Sequence, residues 1–68
     1  MDQNYLYKYY SLKAKRDYHK RMDEVLSMHL DNEKDPDARK RLCARRSHHR
    51  RLYRKYEAKA EHTWTYME

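Results

Sequence analysis

The sequence predicts an all-α protein that folds as an antiparallel two-helix hairpin with a short C-terminal tail. Its 68 residues include no glycine and a single proline, so the residues that usually form turns and bulges are nearly absent. Apolar and aromatic side chains recur at steps of three and four residues along both halves of the chain. A chain of this length forms one domain at most, so we treat residues 1–68 as a single helical domain.

The first helix is predicted from about residue 4 to residue 30. An apolar stripe at helical spacing runs along it, and Leu26 and Leu30 extend the stripe along one edge. The stripe consists of Tyr7, Tyr10, Ala14, Tyr18, Met22 and Val25. We expect this face to pack against the second helix.

A loop over residues 31–35 is predicted to join the two helices. Asp35 suits the N-cap of the second helix, and Pro36 suits its first position because the missing N–H needs no partner there. Asp37 favours the positive end of the helix dipole. Helices joined by so short a connection are usually antiparallel neighbours, which is why the sequence favours a hairpin.

The second helix is predicted over residues 36–62, with a tail at residues 63–68. Its apolar stripe is formed by Ala38, Leu42, His49, Tyr53, Tyr56, Ala60 and Trp64, with Leu52 beside them. The tail alternates threonine and aromatic residues, a pattern that favours a frayed or extended segment over a helix.

The supply of core residues is small for a free-standing monomer. Apart from eight tyrosines, the large apolar side chains are six leucines, one valine, four methionines and one tryptophan, with no phenylalanine. Small chains with such cores often complete them by self-association or by docking on a partner. A homodimeric four-helix bundle is one arrangement that would enlarge the core.

The net charge of +6 is concentrated in the second half of the chain. Residues 1–34 carry seven Lys or Arg against six acids, whereas residues 35–68 carry ten against five. All ten lie in the segment from Arg39 to Lys59, and Glu57 is the one acidic residue within that segment. Many of these cations are three or four residues apart on a helix, which costs repulsion unless a partner supplies the counter-charge.

We therefore expect the second helix to bind an anionic partner. The predicted contact residues are Arg39, Lys40, Arg45, Arg46, Arg50, Arg51, Arg54 and Lys55. The excess of arginine over lysine favours forked contacts to phosphate. The first hypothesis is a small nucleic-acid-binding accessory protein, with RNA slightly favoured over DNA because tyrosines offer stacking planes. The alternative is a small helical interaction protein, an inhibitor or an accessory subunit, that docks on an acidic protein surface.

Aromatic residues are concentrated near both ends of the chain. Tyr5, Tyr7, Tyr9 and Tyr10 cover more than one face of the first helix, so some of them must be exposed. The residues predicted to form an aromatic contact surface are Tyr5, Tyr9, Trp64 and Tyr66. A structural interpretation has equal weight, in which the tyrosines close the open end of the hairpin or line a dimer core.

Little in the sequence points to catalysis, metal binding or a cofactor. The serines lack an evident base, and no glycine loop is present to hold a nucleotide, so we expect a non-enzyme without a cofactor. Cys43 and His48 are five residues apart, a poor spacing for one face of a helix, so a metal site is not expected. His49 is instead interpreted as a histidine in the hairpin core that is hydrogen-bonded to a tyrosine or a backbone group.

A single cysteine cannot form an internal disulfide, which is compatible with a reducing cytoplasmic compartment. The apolar stretches are too short and too charged for a membrane span or a signal peptide. We therefore expect a cytoplasmic protein whose partner is a nucleic acid or an acidic protein.

Overall fold

The computed structural model describes residues 3–67 and contains two long helices. Helix α1 spans Gln3–Asn32 and helix α2 spans Pro36–Met67. The helices are antiparallel neighbours, since the rings of Tyr5 and Tyr66 stack near one end and Arg39 hydrogen-bonds to the carbonyl of Leu30 at the other. The hairpin is a rod with extents of 51 × 13 × 13 Å. The predicted all-α hairpin is thereby confirmed.

The connection between the helices is built by the residues that the sequence indicated. The Oδ2 atom of Asp35 accepts a hydrogen bond from the N–H of Ala38 at 3.3 Å, which caps α2. The guanidinium of Arg39 donates to the carbonyls of Leu30 at 2.6 Å and Glu33 at 2.8 Å. One side chain of α2 therefore binds two carbonyl groups where α1 ends and the loop begins. Helix α1 continues to Asn32, past the end expected at residue 30.

The prediction of a frayed or extended tail over residues 63–68 is wrong for the described part of that segment. Helix α2 continues to Met67, and Glu68 lies outside the described residues. Thr63 is buried, and its hydroxyl donates to the carbonyl of Lys59 at 2.9 Å. The Tyr66 ring lies 6.2 Å from that of Tyr5. Packing against α1 thus outweighs the weak helix propensity of threonine and aromatic residues.

The face of α1 that meets α2 also differs from the predicted one. The buried leucines of α1 are Leu12, Leu26 and Leu30. Most of the predicted stripe is exposed instead, with exposed fractions of 76% for Tyr7, 58% for Tyr10, 56% for Tyr18 and 38% for Val25. Of that stripe, only Met22 is half-buried.

Polar contacts explain why α1 packs against α2 through its leucine side. His19 and Asp23 lie on that side, and both find partners on α2, in His49 and Arg50. If α1 turned its tyrosine stripe toward α2, these two polar residues would lose those partners. Burial of the more aromatic stripe is therefore opposed by the loss of hydrogen bonds across the hairpin.

Helix α2 presents the predicted face to α1. Ala60 is buried, and the other members of the stripe up to Tyr56 are half-buried, as is Leu52. Trp64 is 44% exposed and lies at the edge of the contact. No side chain among the described residues is less than 2% exposed, so the core of the hairpin is thin, in agreement with the small supply of apolar residues.

Candidate nucleic-acid interface

Three of the predicted contact residues are engaged inside the hairpin. The guanidinium of Arg39 is hydrogen-bonded to the end of α1. The Nε atom of Arg50 donates to Oδ2 of Asp23 at 2.9 Å, and the Nε atom of Arg46 lies 4.0 Å from Oδ1 of the same carboxylate. These arginines help to hold α2 on α1, so they are less available to a partner than the sequence suggested.

The other cations of α2 are exposed. Within residues 3–67, no carboxylate lies at ion-pair distance from any of them. They comprise five predicted contact residues together with Arg41 and Lys59. We call this set the basic face: Lys40, Arg41, Arg45, Arg51, Arg54, Lys55 and Lys59.

The basic face covers the outer side of α2 and one edge of the hairpin. At about 100° per residue, Lys40, Arg51 and Arg54 share the side of α2 opposite its contact with α1. Lys59 lies toward one edge, where it lines a groove of about 430 Å³ between the helices. The full lining of this groove is Lys8, Leu12, Ala58, Lys59, His62 and Thr63.

Two lysines of α1 extend this basic edge, and the sequence reasoning missed both. Lys8 lines the same groove as Lys59. The Nζ atom of Lys15 lies 5.6 Å from the centroid of the Tyr56 ring. The charge count of the first half is nearly balanced, so it gave no signal for these lysines. Only the antiparallel pairing of the helices places them beside the cations of α2.

The opposite edge of the hairpin is electrostatically mixed. Arg16 pairs with Asp17 at 2.9 Å, and this hydrogen bond, helped by the nearby charge of Glu57, raises the pKa of the Arg16 guanidinium. Glu61 lines a groove of about 260 Å³ together with Arg16. Asp23 faces Arg50 on this side. The one acid of the basic stretch, Glu57, lies near Arg16 on this edge, and among the described residues no ion pair links it to the basic face.

The four residues predicted to form an aromatic contact surface form two ring pairs across the hairpin. Tyr5 stacks on Tyr66, and the rings of Tyr9 and Trp64 lie 5.1 Å apart. These pairs close the open end of the hairpin, as in the structural interpretation of the cluster. Each pair retains exposed ring surface, with Tyr66 66% exposed.

A histidine pair connects the middle of the two helices. The Nδ1 atoms of His19 and His49 are 2.7 Å apart, and the His19 ring stacks on Tyr56 at 5.7 Å. Burial, together with the charges of neighbouring histidines, lowers the pKa of both. The prediction that His49 is a hydrogen-bonded core histidine is confirmed, although its partner is His19 instead of a tyrosine or a backbone group.

The described residues contain no cluster of three or more His, Cys, Asp or Glu side chains arranged to hold a metal ion. Cys43 is exposed. Over the same part of the chain, neither helix combines the length and apolar character that crossing a bilayer requires.

Comparison of the chain with known proteins supplies no function to transfer. No family model matches the chain, and neither the curated proteins nor the solved structures contain a match. The basic face is therefore the feature of this chain on which a functional inference can rest.

Proposed function

We propose that this chain is a small accessory protein that binds nucleic acid by contacting the phosphate backbone with the basic face of α2. One observation carries the proposal: seven exposed cations follow one helix, and no described carboxylate lies at ion-pair distance from them. Holding like charges together in this way costs free energy in the isolated chain. Phosphates along a nucleic acid would recover that cost and would release condensed counterions.

The geometry favours contact with the backbone over reading of bases. The basic residues from Lys40 to Lys59 extend over about 29 Å of helix, at about 1.5 Å per residue. Lys8 and Lys15 widen the basic surface toward α1. The widened surface suits contact along a phosphate backbone better than insertion into a groove. Phosphate contacts of this kind fix position but carry no sequence information. We therefore expect little sequence preference.

The choice between RNA and DNA depends on stacking. RNA was favoured because tyrosines near the basic helix would stack on unpaired bases. Tyr7, Tyr10 and Tyr18 are exposed, but the helical positions of Tyr7 and Tyr10 place them on the side of α1 away from α2. The ring of Tyr18 lies 6.0 Å from that of His49, within the contact between the helices. Backbone contacts are common to both nucleic acids, and we retain RNA as the first ligand to test.

A salt titration tests the proposal directly. Fluorescence anisotropy would measure affinity for a labelled single-stranded RNA, a duplex RNA and a duplex DNA. With about six phosphates engaged on a duplex, affinity should fall roughly a thousandfold between about 50 and 200 mM salt. Binding that is tight and independent of salt would contradict phosphate contact.

Charge-reversal variants distinguish binding by the basic face from attraction by the net charge of the whole chain. Arg51→Glu/Arg54→Glu/Lys55→Glu should abolish binding at moderate salt while the far-ultraviolet circular dichroism stays helical. The matched control Lys13→Glu/Lys20→Glu/Lys34→Glu has the same net charge and should retain most of the affinity. Equal losses in both would mean that total charge alone attracts the ligand. Arg46 and Arg50 are unsuitable for this test, because their loss would leave Asp23 without its cationic partners.

The same surface suits an acidic protein, which is the alternative function. Purification from native lysate distinguishes the two. Co-purifying nucleic acid that high salt removes would support the proposal, whereas a stoichiometric acidic protein companion without nucleic acid would replace it with the interaction-protein hypothesis.

A further inference from the structure

Helix α1 carries an exposed apolar stripe, most of which lies on the side away from α2. Its members recur at helical spacing over about 32 Å of helix, at about 1.5 Å per residue. We call it the outer stripe: Tyr7, Tyr10, Ala14, Tyr18, Val25 and Met28. Tyr7 is 76% exposed and Met28 is 66% exposed. At the edge of the outer stripe, Tyr18 is 56% exposed, but its ring also lies 6.0 Å from the ring of His49. Single exposed apolar residues are common on proteins, but a face of this length with one charge in it is typical of an interaction surface.

We propose that the outer stripe is the interface of a homodimer, in which α1 of one copy packs antiparallel against α1 of a second copy. The two hairpins then form a four-helix assembly whose inner pair is formed by the α1 helices. This inference does not depend on the proposed binding of nucleic acid.

The accessible surface area of the chain is consistent with an interface to a second copy of the same size. The accessible surface is 5617 Å² for a mass of 8.6 kDa. A compact monomer of this mass is expected to expose about 4700 Å², so the hairpin exposes an excess of about 900 Å². Each partner in an ordinary stable interface buries about 800 Å². One copy of the chain therefore has about the excess surface that one such interface removes.

Charge favours a second copy on this face over one on the basic face of α2. Two chains that met through α2 would bring their basic faces together. Packing through α1 instead separates the α2 axes by three interhelical spacings, or about 25–30 Å in a stacked arrangement. That distance is several times the Debye length of about 8 Å at physiological ionic strength, so the repulsion between the two basic faces is largely screened.

The outer stripe is also complementary to itself. An antiparallel alignment that sets Ala14 against Val25 of the second copy brings Tyr10 close to Met28 of that copy. A small residue then faces a larger one, and a flexible thioether meets an aromatic ring. Because a two-fold dimer repeats every contact, each pairing occurs twice.

The one charge within the stripe finds a partner in the same alignment. Arg21 lies at the helical phase of the stripe, and no ion pair links it to a carboxylate of residues 3–67. In the dimer it would lie near Asp17 and Tyr18 of the second copy. An ion pair and a cation–π contact would then replace exposure to water. The same alignment thus gives both the apolar side chains of the outer stripe and the charge of Arg21 a partner in the second copy.

The first test is the mass of the full chain in solution. Sedimentation equilibrium of protein freed of nucleic acid, in about 0.5 M salt, should give about twice the monomer mass of 8.6 kDa. The variant Ala14→Glu should weaken the dimer at least about tenfold, or about 1.4 kcal/mol. Ala44→Glu is the matched control, because Ala44 is an exposed alanine on α2. It should leave the mass unchanged. A wild-type chain that stays monomeric at high micromolar concentration would overturn the proposal, as would equal effects of the two variants.

Disulfide trapping tests the antiparallel alignment. In the variant Ala14→Cys/Val25→Cys/Cys43→Ser, the two new thiols lie about 16 Å apart along one helix and cannot bridge within a chain. Oxidation should therefore give a covalent dimer. The variant Ala14→Cys/Cys43→Ser should remain largely uncrosslinked. Efficient crosslinking of that second variant would indicate a parallel pairing and would refute the alignment.

Discussion

At the residue scale, Asp23 and the histidine pair fix how the helices meet. Asp23 is half-buried on α1 and receives the hydrogen bond from Arg50, while its Oδ1 atom has no hydrogen-bond partner and faces Arg46. A partly buried carboxylate is costly unless cations accompany it. The acid therefore uses two of the cations that the sequence assigned to a partner, and their role in α2 is structural.

The His19–His49 contact predicts that acid destabilises the hairpin. Only one of two facing Nδ1 atoms can donate, so full protonation of both rings breaks the bond and adds repulsion. Arg45 and His48 disfavour a charge on His49, while Asp23 favours it less strongly than burial opposes it. The pKa of each histidine is lowered in the folded state, so the unfolded chain binds more protons below about pH 6.5. Stability should fall as pH drops through that value and level off below the folded pKa.

Thermal denaturation followed by circular dichroism measures this effect. The midpoint should drop by several degrees between about pH 7.5 and pH 5.5, around the unperturbed histidine pKa of about 6.5. His49→Phe keeps an aromatic ring in place and should reduce the drop. His29→Gln, at an exposed histidine in the last turn of α1, should preserve it. A midpoint that rises on acidification would show that the pair does not govern the response.

At the scale of the elements, the start of α2 was predictable because its signals are local. Asp35, Pro36 and Asp37 act within one helical turn, and the structure places them as expected. The end of α2 was not predictable in this way. Residues 63–67 have poor helix formers, and their helix is held by Tyr5 and Tyr9, which lie about sixty residues away in the chain.

The face of α1 was mistaken for a related reason. Two stripes share this helix, and the tyrosine stripe is the more continuous one in sequence. The leucine stripe is interrupted by His19 and Asp23, whose partners on α2 cannot be identified from periodicity. In the candidate site, the excess of cations was evident from counting. Which arginines pair within the hairpin and which belong to the basic face could be told only from the position of Asp23 in the structure.

Removing the cap of α2 should destabilise the hairpin measurably. Asp35→Ala loses the hydrogen bond to the N–H of Ala38 and the favourable charge at the helix start. Loss of such a cap costs about 1 kcal/mol, which corresponds to a fall of roughly 4–8 °C in the melting midpoint. Asp31→Ala is the control, since Asp31 is exposed in the last turn of α1, where a negative charge is unfavourable. That variant should be neutral or slightly stabilising, and an equal loss in both would argue against a capping effect.

At the scale of the whole molecule, the uncompensated positive charge of the basic face affects both the stability of the fold and the binding of a ligand. The chain has a net charge of +6, and its cations concentrate on one side of a thin rod. Its few buried residues leave little free energy to oppose their repulsion. A polyanion on the basic face would therefore stabilise the fold while it binds, which couples order in the hairpin to the presence of its ligand.

This coupling predicts that salt stabilises the free protein. Raising the salt from about 20 mM to about 500 mM screens repulsion across the basic face, and it weakens the Asp23–Arg50 pair less because the Asp23 carboxylate is partly buried. The melting midpoint at fixed protein concentration should rise, as circular dichroism would detect. Arg51→Gln/Arg54→Gln/Lys55→Gln should be more stable than wild type at low salt and should lose most of the salt response. Replacing the same number of lysines at Lys13, Lys20 and Lys34 with glutamine should leave most of that response intact. A midpoint that falls with salt would mean that attraction within the hairpin exceeds repulsion on the basic face, and the argument for a missing counter-charge would then lose its energetic basis.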